Sequence, residues 1–535
     1  MPMCVDPELE DEAMGCCCSR ESAPDELVDL PPPARPSIPV VDEPPIRLSL
    51  VVDPILMERL IMEMLRTAAV RVNGNEASSV SLVKLHVIAD KDDGWIQMVV
   101  SMVTVIPIED PFGPAAISVL LDECPLPSKE TVIRMTQYLG LSAKRTNLRH
   151  KRTRVERNIC ITLGCIAEKL VGPNSEAILT ENTLDYLLAY LSLHHEPCIV
   201  LFALIALKKF ALTSVNKLKI KSRLDQCPEN PLLVLENYDN SNDCDWRQVG
   251  FCAKWALDNI FIIEGRSLSY ETVDMSGIHA ILNAQDGNDY LQISSNGLEA
   301  RCDLYALESV RCTVEVNKGC WYFETLIVTP GLMYIGFATM RSHFLTSENR
   351  IVGNDRFSIS YDGCRIKVWY NAQHSAIDSV PSWQPGDVLG CLLDLDNKEI
   401  IFSLNGQRIT TCREIFEATN REFFAAATFM AFQQCRFNFG YEMFRYPPTD
   451  REFKTFNDIG CLRVDQKQIL PKRLYLEKLK NIAENDNSCS ICYDNVPSRI
   501  LEPCGHNGFC SVCTSKITSC PLCRCVIIQV KKDMA

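Results

Sequence analysis

Seven cysteines and one histidine fall into four close groups within residues 489–523: Cys489-x2-Cys492, Cys504-Gly-His506, Cys510-x2-Cys513 and Cys520-x2-Cys523. Each group offers two metal-binding atoms from one short turn, and four such atoms complete the tetrahedral shell of a structural zinc. Eight donors therefore predict two closed zinc sites with no coordination position left for water. A zinc enclosed in this way activates no nucleophile. Its task is to hold a fold, because a segment of about 40 residues buries too little apolar surface to fold unaided. Cys525, two residues past the last donor, is a competing candidate for the place of Cys523.

Around this segment, 535 residues provide material for roughly three or four domains. Hydrophobic residues make up 47% and charged residues 23%, so sizeable cores are feasible. The net charge of -14 argues against general nucleic-acid binding, which needs a basic footprint. The 27 cysteines are odd in number and spread along the chain, which reads as reduced thiols in a reducing compartment. No apolar signal-like run occurs in the first 45 residues. The longest apolar run, Cys198 to Leu207, stops at Lys208-Lys209 and suits a buried core helix better than a membrane span.

Residues 1–45 are acidic and proline-rich, the composition of a disordered tail. Within them Met14-Gly15-Cys16-Cys17-Cys18-Ser19 matches a myristoylation pattern with cysteines suited to palmitoylation. Acylation at Gly15 requires translation to start at Met14; the plain alternative is a cysteine cluster in a tail. From 46 to 232 apolar residues recur at helical spacing, beginning at Pro54 with Asp53 as N-cap. Residues 84–106, richer in valine, suggest a short extended piece. Helices are expected at 129–140, 153–171, 176–193 and 196–214. Tandem helices of this kind are HEAT- or armadillo-like and form a scaffold, although no sequence repeat is evident. Lys144, Arg145, Arg149, Lys151, Arg152, Arg154 and Arg157 form a basic cluster suited to anionic lipid or an import receptor, or to a solvated helix face. His194 and His195 read as loop residues.

A connector at 233–283 carries a short helix around Cys252–Asn259. Residues 284–446 turn to period-two alternation with turn signals about every ten residues, which favours an antiparallel β-sandwich. Trp321, Tyr322 and Trp369 lie on these strands and read as core. Gly363 and Gly406 follow Asp or Asn in turns that call for positive φ. A linker over 447–486 holds a charged helix at about 470–484. The zinc-bearing segment spans 487–528, with a tail at 529–535. The fold class expected is multidomain α+β.

The ligand order of residues 489–523 resembles a RING finger of the compact type, given the six residues between Cys513 and Cys520. The resemblance implies that Cys489, Cys492, Cys510 and Cys513 share one zinc, and Cys504, His506, Cys520 and Cys523 the other. It implies binding of a ubiquitin-conjugating enzyme charged with ubiquitin, through Ile491, Ile517 in the short central helix, and Pro521. Arg524 corresponds to the residue that contacts both enzyme and ubiquitin, a role suited to a guanidinium's fixed donors. None of these residues is catalytic in the covalent sense. The plainer reading makes Ile491 and Ile517 mini-core residues and Arg524 a solvated charge. The apolar stretch Val526 to Val530 resembles the tail of dimeric RINGs and implies a homodimer.

The phrases Gly319-Cys-Trp-Tyr-Phe-Glu, Ser360-Tyr-Asp-Gly363, Gly386-Asp-Val-Leu-Gly-Cys-Leu-Leu-Asp394, Phe402-Ser-Leu-Asn-Gly406 and Cys435-Arg-Phe-Asn-Phe-Gly440 resemble a SPRY domain. That implies a sandwich whose loops bind peptide segments of a protein substrate. With Cys165-Ile-Ala-Glu-Lys-Leu-Val-Gly-Pro-Asn-Ser in the helical region, the whole arrangement resembles the RING finger and SPRY domain-containing protein family. The implied function is a RING-type E3 ubiquitin ligase; the acidic start with its Gly-Cys-Cys-Cys motif departs from family members that carry a secretory signal and favours a cytoplasmic location, with membrane association if Gly15 is acylated. The rival is a non-catalytic zinc-binding adaptor or scaffold.

Overall fold

The computed structural model describes residues 51–532 apart from 72–79, 148–152, 287–289, 305, 345–349, 379, 420, 464–465, 472, 476–488, 492–496, 516 and 522–525. The Gly15–Cys18 motif lies outside the described residues, as do Arg149, Lys151 and Arg152.

The helical part begins with α1 (Pro54–Arg71), and the Asp53 carboxylate accepts from the Leu56 amide at 3.3 Å, the expected cap. It continues through α2 (Val80–Ala89), α3 (Asp92–Val105), α4 (Gly113–Glu123) and α5 (Lys129–Tyr138). The valine-rich stretch 84–106 is therefore helical, not extended. Trp95, Met98, Val99, Met102 and Val103 of α3 are buried, and this burial outweighs the weak strand preference of valine. Next come α6 (Thr153–Lys169), α7 (Pro173–Ile178), α8 (Glu181–Ala189) and α9 (Pro197–Phe210). The single helix expected at 176–193 is broken by Thr180, whose hydroxyl accepts from the Thr183 amide and starts α8 afresh. α10 (Ser214–Asp225) and α11 (Pro231–Leu235) follow.

α12 (Cys244–Asn259) starts eight residues earlier than expected, where Asp243 caps the amides of Asp245 and Trp246. Its Val249, Phe251, Cys252, Ala253, Ala256 and Leu257 join the same buried cluster as α6 and α9, so this stretch belongs to the helical core. α13 (Ser269–Thr272) closes the helical part. No described helix is long and apolar enough to cross a membrane.

The basic cluster is not one surface. Arg145 is drawn onto the buried Glu156 at 2.8 Å, a carboxylate that also accepts from the Tyr186 and Tyr190 hydroxyls at 2.7 and 3.0 Å. Buried Arg157 donates to the carbonyls of Pro107 and Ile108, both at 2.8 Å.

Two antiparallel sheets then form a sandwich. One runs in the order β1 (Leu291–Ile293), β2 (Glu299–Cys302), β13 (Gln433–Asn438), β4 (Cys320–Ile327), β9 (Val388–Asp394), β10 (Glu399–Leu404), β11 (Gln407–Cys412), with β14 (Lys454–Thr455) parallel to the start of β4. The other runs β3 (Glu308–Arg311), β12 (Phe423–Phe429), β5 (Met333–Thr339), β6 (Ser358–Asp362), β7 (Lys367–Tyr370), β8 (Gln373–Ala376). Phe323, Phe337, Phe402 and Phe437 meet between the sheets. Period two assigns Trp321 and Phe323 of β4 to that core and Tyr322 to the outer face, where Phe444 and Phe453 cover it at 4.9 and 5.3 Å.

Asn405 and Gly406 both take positive φ in the two-residue turn between β10 and β11, as hairpins of this type require. Gly363 does not: there Ile366 carries the positive φ. A Cβ at Gly363 would lie 2.2 Å from the Trp383 ring, so close approach is what demands glycine.

Both outer faces of the sandwich are covered. Tyr334 of β5 and Trp369 of β7, with Leu332, Ile351, Met430 and Phe432 from neighbouring loops, join the core of the helical part. Phe432 meets Phe202 of α9 edge-on at 5.3 Å. One outer face of the sandwich thus shares the core of the helices, while the space between the sheets forms a core of its own. Of the charged helix expected over 470–484, residues 473–475 are helical, 470–471 are not, and the rest lie outside the described residues.

Candidate metal centre

A small three-stranded sheet organises the cysteine-rich segment: β15 (Arg499–Glu502) sits between β16 (His506–Phe509) and β17 (Gln529–Lys532). Its own core is Leu501, Phe509 and Cys520, with Ile517, Ile527 and Val530 packed on it. So few apolar residues hold little fold by themselves, and the remainder falls to the donor clusters.

The Sγ atoms of Cys489, Cys510 and Cys513 lie within 4.8 Å of one another. The Cys510 amide donates to Cys489 Sγ at 3.1 Å and the Cys513 amide to Cys510 Sγ at 3.4 Å. The donor atoms of Cys504, His506 and Cys520 form a second group within the same limit, with Cys520 Sγ 3.6 Å from His506 Nδ1. Donors around a tetrahedral zinc sit about 3.5–3.8 Å apart; the Cys520–His506 distance falls in that range, and the thiol and imidazole donors of both groups suit the ion in chemistry. The expected fourth members, Cys492 and Cys523, lie outside the described residues, as do Arg524 and Cys525.

Local structure explains the grouping. Cys510 caps the short helix Ser511–Thr514, which turns Cys513 back toward Cys489. The Leu501–His506 pairing carries Cys504 and His506 to the opposite end of the sheet.

Ile491 is 37% exposed beside the first cluster, and Pro521 is exposed beside the second. Ile517 is not in the central helix, which ends at Thr514; it lies in the loop beyond and packs partly on Leu501 and Phe509. The apolar tail is split: Ile527 and Val530 turn inward, while Val526 and Ile528 are exposed. β17 pairs with β15 from Arg499↔Lys532 to Glu502↔Gln529, so the sheet runs past residue 528.

A polar layer joining helices to sandwich escaped the sequence reading. Lys208, at the end of the apolar run, is 5% exposed and reaches Asp303 Oδ2 at 2.8 Å and Gln292 Oε1 at 3.0 Å. Its ammonium stands 4.7 Å from the Trp255 ring. The signal was present: two lysines directly after an apolar helical run with no acidic neighbour in sequence.

Residues 320–442 match the SPRY domain model, and residues 485–530 match the model of the C3HC4-type RING finger. Among curated proteins, the ATP-dependent RNA helicase DDX1 of Xenopus laevis is 28% identical over 38% of this chain and 28% of its own length. The E3 ubiquitin-protein ligase RKP of Arabidopsis thaliana is 30% identical over 27% of this chain. That match spans only 11% of the ligase. Among solved structures, the SPRY domain of human HERC1 covers 29% of this chain at 15% identity, with a TM-score of 0.25. The chain therefore joins a helical region to a SPRY domain and ends in a C3HC4-type RING finger whose cysteine and histidine clusters are of zinc-binding kind.

Proposed function

We propose that this chain is a RING-type E3 ubiquitin ligase with two structural zinc ions, one held by Cys489, Cys492, Cys510 and Cys513, the other by Cys504, His506, Cys520 and Cys523. The observation that carries the reading is the pair of three-donor clusters within the RING-type match, with Ile491 exposed beside one and Pro521 beside the other. Ile491 and Pro521, with Arg524, form the surface for a ubiquitin-conjugating enzyme; Ile517 supports it from below. The zincs supply rigidity alone. Transfer proceeds by holding the charged enzyme's thioester near a substrate lysine, and no bond forms to the ligase. The helical and SPRY body captures the substrate, which raises the lysine's effective concentration. The reaction runs in the cytosol, where charged conjugating enzymes occur; acylation at Gly15 to Cys18 would bring it to a membrane face.

The test is self-ubiquitination in vitro with a panel of conjugating enzymes, comparing the intact chain with Ile491→Ala and Arg524→Ala. Two bound zincs are confirmed in each. Chains made by the intact protein and lost in both variants support the ligase. No chains with any enzyme, despite two zincs, favour the adaptor.

A further inference from the structure

Burial of Ile351, Met430 and Phe432 under the helices removes these sandwich loops from contact with a partner. The same junction opens elsewhere into a cleft of about 1160 Å³, bounded by α9, α10, α12, the β1–β2 hairpin and residues 466–475. Small-ligand pockets run to roughly 300–1,000 Å³, so this one has room for a short peptide. Phe251, Trp255, Tyr270, Tyr290 and Leu212 give it apolar walls, and Tyr290 and Leu212 are more than half exposed.

Its charges are not balanced. All five lining carboxylates are matched: Glu168 by Lys209 at 2.7 Å, Asp239 by Lys254 at 2.6 Å, Asp258 by Arg266 at 2.9 Å, Glu299 by Arg247 at 2.8 Å and Asp303 by Lys208 at 2.8 Å. Two lining cations remain without an acidic partner among the described residues, Lys217 on α10 and Arg473 in the segment after the sandwich. Arg473 Nε is buried and makes no hydrogen bond. A buried guanidinium nitrogen left without an acceptor is costly, and a ligand carboxylate would satisfy it.

We infer that this cleft binds an acidic peptide segment of a protein substrate, carrying aromatic or aliphatic residues beside its carboxylates. This rests on the ligase reading and names its capture site. The apolar walls take the side chains, and Lys217 and Arg473 take the charges. Tyr475 is the last described residue of this wall, and Cys489 follows it by fourteen residues in sequence. A chain of that length reaches at most about 50 Å, so a captured segment is tethered near the transfer site.

The experiment selects a displayed library of random twelve-residue peptides on the full chain, then measures the enriched peptides by fluorescence anisotropy. Four proteins are compared: intact, Lys217→Glu with Arg473→Glu, Leu212→Asp, and the chain without residues 1–45, each checked for an unchanged unfolding midpoint. Leu212 is exposed, so its variant folds even if the charge reversal does not. The expected result is enrichment of Asp or Glu next to Phe, Tyr, Trp or Leu, with binding weakened about tenfold or more in both variants. Self-ubiquitination stays intact in both, which separates failure of the cleft from failure of the RING. No enrichment, peptides without acidic residues, or binding by either substituted variant equal to that of the intact chain would overturn the inference. Binding seen only after deletion of residues 1–45 would also overturn it, by assigning the cleft to the chain's own acidic tail.

Discussion

Arg247 of α12 and Glu299 of β2 form a two-pronged ion pair inside the junction of helices and sandwich, Nε to Oε1 at 2.9 Å and Nη2 to Oε2 at 2.8 Å. Their side chains are 5% and 7% exposed. Gln434 of β13 donates to the same carboxylate at 2.6 Å, so a helix and two strands are joined at one acid. Arg247→Ala strands that carboxylate without water and is expected to cost about 3–5 kcal/mol. Replacing both partners, by Arg247→Met with Glu299→Leu, should cost less than the single change. Urea unfolding of the three proteins checks this; a double variant weaker than the single would refute it.

Asp303 predicts an acid dependence. Burial pushes its carboxyl up, but Arg301 and Lys208 outweigh burial and hold it well below the ordinary carboxylate range. Unfolding returns it to about 3.9. The unfolded chain therefore takes the proton first: the stabilisation is fully present above about pH 4 and fades as pH falls toward the folded value. Asp303→Asn should lower stability at pH 7 by about 3 kcal/mol, and its loss of stability below pH 4 should be shallower than in the intact chain. Unfolding midpoints from pH 7 to pH 2 decide, and parallel curves would count against the pair.

Phe432 combines packing with an unusual backbone. Its ring meets Phe202, the Lys209 ammonium stands 5.3 Å from it, and its φ is 64°. Phe432→Ala should cost about 3–5 kcal/mol through the cavity it opens. Phe432→Gly removes the same ring but relaxes the left-handed backbone, so it should be no worse than alanine despite its greater unfolded freedom. Thermal unfolding of both variants separates packing from strain.

Chelation should act on one part of the chain. Removing metal is expected to unfold residues 489–532, since among the described residues its buried core outside the first cysteine cluster is Leu501, Phe509 and Cys520. The helices and sandwich should keep their melting transition. Cys510→Ser should lose one bound metal of two. Metal content with calorimetry tests both; one shared transition that shifts as a whole would contradict the separation.

The cysteine spacing and the alternation of β4 were legible because each is local: a turn brings two donors together, and period two sorts Phe323 inward from Tyr322. Asp53 was legible as a cap for the same reason. What required the structure is non-local. Valines of α3 are helical because of what they pack on, and nothing near Lys208 in sequence announces Asp303, 95 residues away. Gly363 shows a subtler limit. Its neighbours suggested a turn dihedral, whereas a distant tryptophan ring is the cause. The thiols follow burial: Cys391 and Cys435 are pushed well above their usual range by it, which makes them inert rather than reactive.

The shared core has a practical consequence. A fragment cut near residue 284 to isolate the sandwich would lay bare Tyr334, Trp369, Met430 and Phe432, which α9 and its neighbours normally cover. Such a patch is adhesive toward many apolar sequences. Partners recovered with that fragment would be stand-ins for the missing helices, and only baits that retain α1 to α13 would report on what the intact molecule selects.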